Sequence, residues 1–364
     1  MVRNRSLDAL RGIAALVVVL CHLNVAFGSI DLHNRKLIAL RLFFAGEQAV
    51  YVFFVLSGLV LFLSINNGKQ FNYTSYAVKR FVRLYLPLAA AIFMSACLYF
   101  SFYTHPIAGA SGWLNRKSWA YPLDITLIGG HLALLDAERF QSLTNVMWSL
   151  VHEIRISMIF PVIALAVLRW PKATMAGTAL LSAVAFTFAS DRIAPHAVDL
   201  LRTGRYVFLF AAGAWLASRQ RLVQQIAEGH RGFILMATGI ALFCLGLTPR
   251  WIGYSGGAIL LVASVYGNRR ISAALSRAPL LWLGDISYSL YLVHIPVLLS
   301  LIHLLHGHAP RSVILGLSLA LALLVAHIFT KLVDEPAVFL GRYLARLLDR
   351  RVRLKPEIVS PLSP

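Results

Sequence analysis

Residues 7–22 read LDALRGIAALVVVLCH, in which ten charge-free residues from Gly12 to Cys21 are bracketed by Arg11 and His22. The apolar character continues to about residue 27. At ~1.5 Å per residue, a helical core over roughly 8–27 covers about 30 Å, the thickness of a bilayer's hydrocarbon. Arg3 and Arg5 precede it, as in a signal peptide, but the run is too long for one and contains Arg11. A retained membrane helix is expected.

Similar stretches recur along the 364 residues, which are 59% hydrophobic and only 13% charged, with a mean hydropathy of +0.72. The expected cores are 8–27, 48–66, 84–103, 146–168, 173–190, 204–218, 232–249, 251–268, 286–304 and 312–333. The fold class expected is therefore an all-α integral membrane protein of about ten transmembrane helices. A soluble enzyme, a disordered chain and a secreted disulfide scaffold are excluded. The apolar segment 123–135 contains Gly129, Gly130 and His131 and reads as a surface or re-entrant piece. Cys21, Cys97 and Cys244 have neither the number nor the spacing of a disulfide framework or a zinc site, and no metal is expected.

The net charge is +19. In a soluble chain this would point to nucleic acid, but no basic run stands outside the membrane pattern, and no nucleic-acid partner is expected. With the N-terminus in the cytosol, the inner segments carry 21 Lys and Arg against 11 on the outer ones. The bias favours both termini inside, as an even number of spans requires. The longest outer connection, about 104–145, holds Trp113, Trp119 and Tyr121. A loop of that length covers a site, binds a sugar or merely connects, and the sequence leaves these open. The organisation expected is a membrane domain over 1–340 and a basic cytosolic tail over 341–364 that rests on inner-leaflet lipid.

Ionisable residues inside spans are costly and mark candidate sites. Arg11 and His22 are eleven residues apart. At about 100° and ~1.5 Å per residue they share a helix face, separated by about 16 Å along the axis. A cytosolic donor with a phosphate head on Arg11 and a long thin arm, the shape of coenzyme A, would bring its reactive end to His22. A histidine there can act as general base on an attacking hydroxyl. Arg80 and Arg83, three apart at the start of the third span, form a candidate phosphate clamp. Glu153, in Trp148-Ser149-Leu150-Val151-His152-Glu153, is expected at His22's depth, where a carboxylate would orient the imidazole. His152–Glu153 opens a zinc-protease-like pattern, but Ile156 occupies the place of the second histidine. His294, in a ninth span broken by Pro296, is a further polar candidate; Asp334 and Glu335 close the tenth span beside the cytosolic arginines.

Taken in order, these residues resemble the acyltransferase-3 family of bacterial membrane O-acyltransferases over about residues 6–340. The resemblance rests on Arg11 and His22, on Phe53-Phe54-Val55-Leu56-Ser57-Gly58, on Arg80 and Arg83, on Trp148 to Glu153, on ISYSLYLVHIP over 286–296, and on Glu335-Pro336. The chain departs from it at Ile154, where many members carry an acid or a histidine, and in lacking an arginine between Glu335 and Pro336.

The resemblance implies a multi-pass protein of the bacterial inner (cytoplasmic) membrane that takes an acyl group, commonly acetyl, from cytosolic acetyl-CoA. The acceptor implied is a hydroxyl of a surface polysaccharide or its lipid-linked precursor. Arg11, Arg80 and Arg83 would hold the donor and His22 and Glu153 would be catalytic, with Ser57, Trp148 and His294 shaping the meeting point. Some members carry an extracytoplasmic hydrolase-like domain. Since about 24 residues follow the membrane domain here, transfer would be completed by this chain or through a separate extracytoplasmic acyl-accepting partner. The competing expectation is a transporter or flippase that uses the same polar residues as a path.

Overall fold

The computed structural model describes residues 4–28, 40–66, 68, 70–104, 106–134, 142–188, 195–245 and 249–353. Arg3, Arg35, Lys36, Lys69, Arg139, Arg192 and Lys355, all used in the charge count, lie outside them, as does the tail from 354. Among the described residues every regular element is helical.

Three long helices come first: α1 (Arg5–Phe27), α2 (Gly46–Ile65) and α3 (Tyr73–Phe102). Two short ones, α4 (Gly112–Lys117) and α5 (Ile125–Leu132), lie in the long outer connection. Then follow α6 (Met147–Arg169), α7 (Pro171–Phe188), α8 (Pro195–Ser218), α9 (Gln220–Ile226), α10 (His230–Cys244) and α11 (Arg250–Gly267). The C-terminal part holds α12 (Arg269–Leu275), α13 (Ala278–Asp285), α14 (Ser287–Leu305), α15 (Arg311–Phe329) and, after a π-helical turn at Thr330–Asp334, α16 (Glu335–Arg353).

Six helices are long and apolar enough to cross a membrane: α1, α2, α3, α6, α14 and the continuous run that begins with α15. The protein is thus a multi-pass membrane protein in its build. The expected cores at 173–190, 204–218, 232–249 and 251–268 fall on α7, α8, α10 and α11, which do not reach that standard. α10 has only 15 residues, and α8 carries Asp199, Arg202 and Arg205. The segment over 123–135 forms α5, where Asp124 accepts from Leu127 N at 2.7 Å. The edge drawn at 340 falls inside α16. Ser75 on α3 donates to the Ala345 carbonyl at 3.2 Å, and Asn72 donates to Asp349 at 3.1 Å.

Close backbone approach locks the inner helices, since in lipid small residues rather than hydrophobic force let helices pack. A Cβ at Gly58 on α2 would overlap the carbonyl of Phe210 on α8, and one at Gly213 on α8 would overlap that of Val55. On α1 the same holds for Gly12, where a Cβ would lie 2.5 Å from Gly284 N at the end of α13. These contacts fix the azimuth of α1 and α2, and with it the directions of Arg11, His22 and Ser57.

Gly58→Ala should therefore lower stability by about 1–3 kcal/mol, the usual cost of overpacking. Gly177→Ala, at an exposed site on α7 with nothing within 4 Å, should be neutral or slightly stabilising. Thermal unfolding of the two variants in detergent checks this.

Candidate active site

Two cavities lie along α1. The larger, about 1850 Å³, is lined by Arg11, Ser57, Arg80, Arg83, Glu153 and Asp334, among others. The smaller, about 210 Å³, is lined by His22, Glu47, Trp113, Asn145, Trp148 and neighbouring apolar residues. Val50 and Tyr291 line both and form the wall between them. The Arg11–His22 face thus has one end in each cavity.

In the larger cavity Arg11 is held firmly. Its Nε donates to Ser287 Oγ at 2.9 Å, and its Nη2 lies 3.5 Å from Asp8 Oδ1. Arg80 donates to Glu153 Oε1 at 2.9 Å and to Ser157 Oγ at 3.3 Å. Both members of that ion pair are largely buried, at 13% and 15% exposure. Ser57 donates to the same carboxylate oxygen at 2.8 Å. Arg83 lines the cavity with no hydrogen bond or ion pair to another described residue. The two guanidiniums of the expected clamp are therefore unlike: one is in an ion pair, and the other lines the cavity near Asp334 without one.

In the smaller cavity the imidazole of His22 meets that of His294. His22 Nδ1 and His294 Nε2 are 3.0 Å apart, and His294 Nδ1 is 2.9 Å from the Leu290 carbonyl. A carbonyl only accepts, so His294 carries its proton on Nδ1 and presents a lone pair at Nε2. His22 then donates through Nδ1, and its Nε2 is left unprotonated. These tautomers are assigned from the chain of hydrogen bonds. Trp113 of α4 stacks on His22, with ring centroids 5.2 Å apart and planes inclined by 23°. The connection between α3 and α6 therefore covers the site.

The expected pairing of Glu153 with His22 is corrected by this geometry. The carboxylate faces the larger cavity with Arg80 and Ser57, and His294 takes the place beside His22. A carboxylate in an apolar interior gains most from the nearest guanidinium, and a hydroxyl fills a second lone pair. Depth along two helices gives height only; it leaves the facing direction free. Ser57 and Trp148, expected at one meeting point, stand in different cavities. Asp334 lines the larger cavity, and Lys331 pairs with Glu335 at its edge. Arg155 is paired with Asp199 at 2.6 Å, and His152 with Thr203 at 2.9 Å, both away from His22.

Sequence reasoning missed Trp113, Asn145, Glu47 and Tyr291. Tyr291 was in reach: it lies three residues before His294, on the same helix face. Its hydroxyl is 2.6 Å from Ser149 Oγ, which ties α14 to α6 where the two cavities meet.

Comparison with known proteins finds relatives named as peptidoglycan O-acetyltransferases. The peptidoglycan O-acetyltransferase OatA of Listeria monocytogenes serovar 1/2a is 23% identical over 358 residues, 91% of this chain and 55% of that protein. The putative peptidoglycan O-acetyltransferase YrhL of Bacillus subtilis is 25% identical over 320 residues, 80% of this chain and 48% of that protein. The chain thus spans about half the length of these relatives. No solved structure matches it significantly. The profile of the acyltransferase domain matches residues 4–331, nearly the whole helical body, and the chain belongs to the acyltransferase-3 family.

Proposed function

We propose that this protein is a membrane O-acetyltransferase that moves an acetyl group from cytosolic acetyl-CoA to a hydroxyl of a surface polysaccharide, with peptidoglycan glycan as the first candidate. The His22–His294 pair carries the reading: its His22 lines a small chamber separated by Tyr291 and Val50 from a cavity whose lining includes five arginines. The names of the relatives support the acceptor class. We read ten spans with both termini in the cytosol of a bacterial inner membrane. The larger cavity is then cytosolic, because its lining includes Asn4, Arg5, Lys331 and Arg342 at the basic end of the helices.

On this reading the coenzyme head lies on Arg11 and Arg83, and its arm passes Tyr291 and Val50 to reach His22. Arg80 takes part as an ion pair with Glu153, so Glu153 positions a guanidinium and does not touch the base. The acceptor hydroxyl enters the smaller chamber and gives its proton to His22 Nε2 as its oxygen attacks the thioester carbon. His294 holds His22 in the tautomer that this step needs. A flippase needs one path wide enough for its whole cargo, whereas two chambers that meet at a wall suit the passage of a small group.

Purified protein in proteoliposomes, given acetyl-CoA and peptidoglycan fragments, should release coenzyme A thiol and form acetate esters detectable by proton NMR. His22→Ala should lose about 10²-fold or more of kcat, the scale of general-base assistance, while still binding acetyl-CoA. Near-normal esterification by that variant would remove His22 from the chemistry.

The two clamp arginines should separate. Arg83→Gln should raise the donor KM about tenfold or more, since a charged contact is worth about 1.5–3 kcal/mol, and leave the unfolding temperature unchanged. Arg80→Gln should instead destabilise, because it strands a largely buried carboxylate. Adding Glu153→Gln should restore much of that stability, a coupling that a double-mutant cycle reads directly. Equal donor KM effects with no coupling would return Arg80 to the role of free phosphate ligand.

A further inference from the structure

Asn145 lies two residues before α6 and is 7% exposed. Its Nδ2 is buried and meets no hydrogen-bond acceptor among the described residues. Buried donors of this kind are rare, because each forfeits hydration without replacement. The side chain belongs to the small set that lines His22's chamber. Asn145, with its unpartnered donor, and His22 therefore line the same space of about 210 Å³.

A second observation points to the same chamber. α6 begins at Met147, and no side chain caps its N-terminus. Val146 and Trp148, which straddle that first residue, also line the chamber. Met147 N donates to the Thr144 carbonyl at 3.2 Å, and the positive dipole end of this 23-residue helix lies at the chamber that Val146 and Trp148 line. Glu153 of α6 lies on the other side of the wall, and the carboxylate that lines the chamber is Glu47 of α2.

We propose that Asn145, backed by the N-terminus of α6, is an oxyanion donor for the acyl carbonyl under attack. The inference rests on the transfer reading above and adds a catalytic residue to it. The acceptor oxygen forms a bond to the thioester carbon, and its proton passes to His22 Nε2. The carbonyl π pair moves onto oxygen, where Asn145 Nδ2–H meets the new negative charge. Collapse re-forms the carbonyl and breaks the carbon–sulfur bond. The departing thiolate takes the proton back from His22, leaving an ester and free coenzyme A thiol. A donor without a ground-state partner suits this task, because its hydrogen bond then forms where charge develops.

The test compares wild type, Asn145→Ala and Asn145→Asp in proteoliposomes with acetyl-CoA and peptidoglycan fragments. Kinetics are paired with thermal unfolding of each protein. Asn145→Ala should lower kcat about 10²-fold or more, the cost of losing one oxyanion donor, with both KM values within about threefold. Its unfolding temperature should hold or rise, because an unsatisfied buried group is removed. Asn145→Asp keeps the shape but sets a carboxylate against the oxyanion, so it should be at least as slow as the alanine variant. A raised acceptor KM with intact kcat would make Asn145 an acceptor contact and overturn the proposal. So would a fall in stability with unchanged kcat per folded molecule. Active wild type with equally active Asn145→Asp sinks the oxyanion role alone. Inactive wild type overturns the transfer reading, and the oxyanion role with it.

Discussion

A guanidinium in hydrocarbon must be paired, wet or in use, and this constraint organises the helical body. The chain has 34 basic residues and only 15 acidic ones, so carboxylates within the body are scarce. They are placed where a buried arginine needs them: Asp8 beside Arg11, Glu153 on Arg80 and Asp199 on Arg155. The Arg80–Glu153 bond joins α3 to α6, and Ser57 brings α2 into the same knot. With those partners assigned, Arg83 lines the larger cavity without an ion pair among the described residues, in the company of Asp334. The property that makes it costly there suits it to an anionic ligand.

The wall between the cavities depends on close helix packing. α2 meets α8 at Gly58 and Gly213, and α1 meets α13 at Gly12 and Gly284, with backbone against backbone. Backbone contact allows little sliding, so Val50 on α2 and the Arg11–His22 face on α1 are set to within a side chain's width. Tyr291 completes the wall from α14, its hydroxyl bound to Ser149 and its ring edge-on to Phe53. Polar groups on both sides hold a single aromatic residue where a long thin substrate arm would have to pass.

The relation of Arg11 to His22 was legible in the sequence because one helix supplies both its distance and its angle. The pairing of His22 was not. Glu153 and His294 both sit in apolar helices at plausible depth, and depth cannot say which helix turns which face to α1. The answer depends on tertiary packing: Arg80 captures the carboxylate and leaves the imidazole to a neutral partner. Asn145 and Trp113 were hidden for a different reason. They lie outside the apolar periodicity that drew attention to the spans, in a connection whose composition did not reveal whether it covers anything. The ten expected cores fall on helices where the residues are described, but six helices are long and apolar enough to cross a membrane, and α8 and α10 are not among them. In α8, Asp199 and Arg202 are buried against neighbouring helices, where a lipid-facing helix could not carry them.

The neutral partner of His22 has consequences for the proposed chemistry. A carboxylate beside a catalytic histidine fixes its tautomer and also stabilises the imidazolium once a proton arrives. His294 does the first through the relay from the Leu290 carbonyl, but it adds no negative charge. On the proposed reading the imidazolium at His22 would form near the positive end of α6, in a chamber that Glu47 also lines but with no ion pair to a carboxylate among the described residues. Such a proton is poorly kept and readily given up. A hydrolase that must hold it through a separate deacylation would be ill served. A transfer in which one proton leaves the hydroxyl and rejoins the departing thiolate needs it held only between attack and collapse. On the proposed reading the dyad would suit that brief tenure, and the positive end of α6 would favour the oxyanion in the same interval.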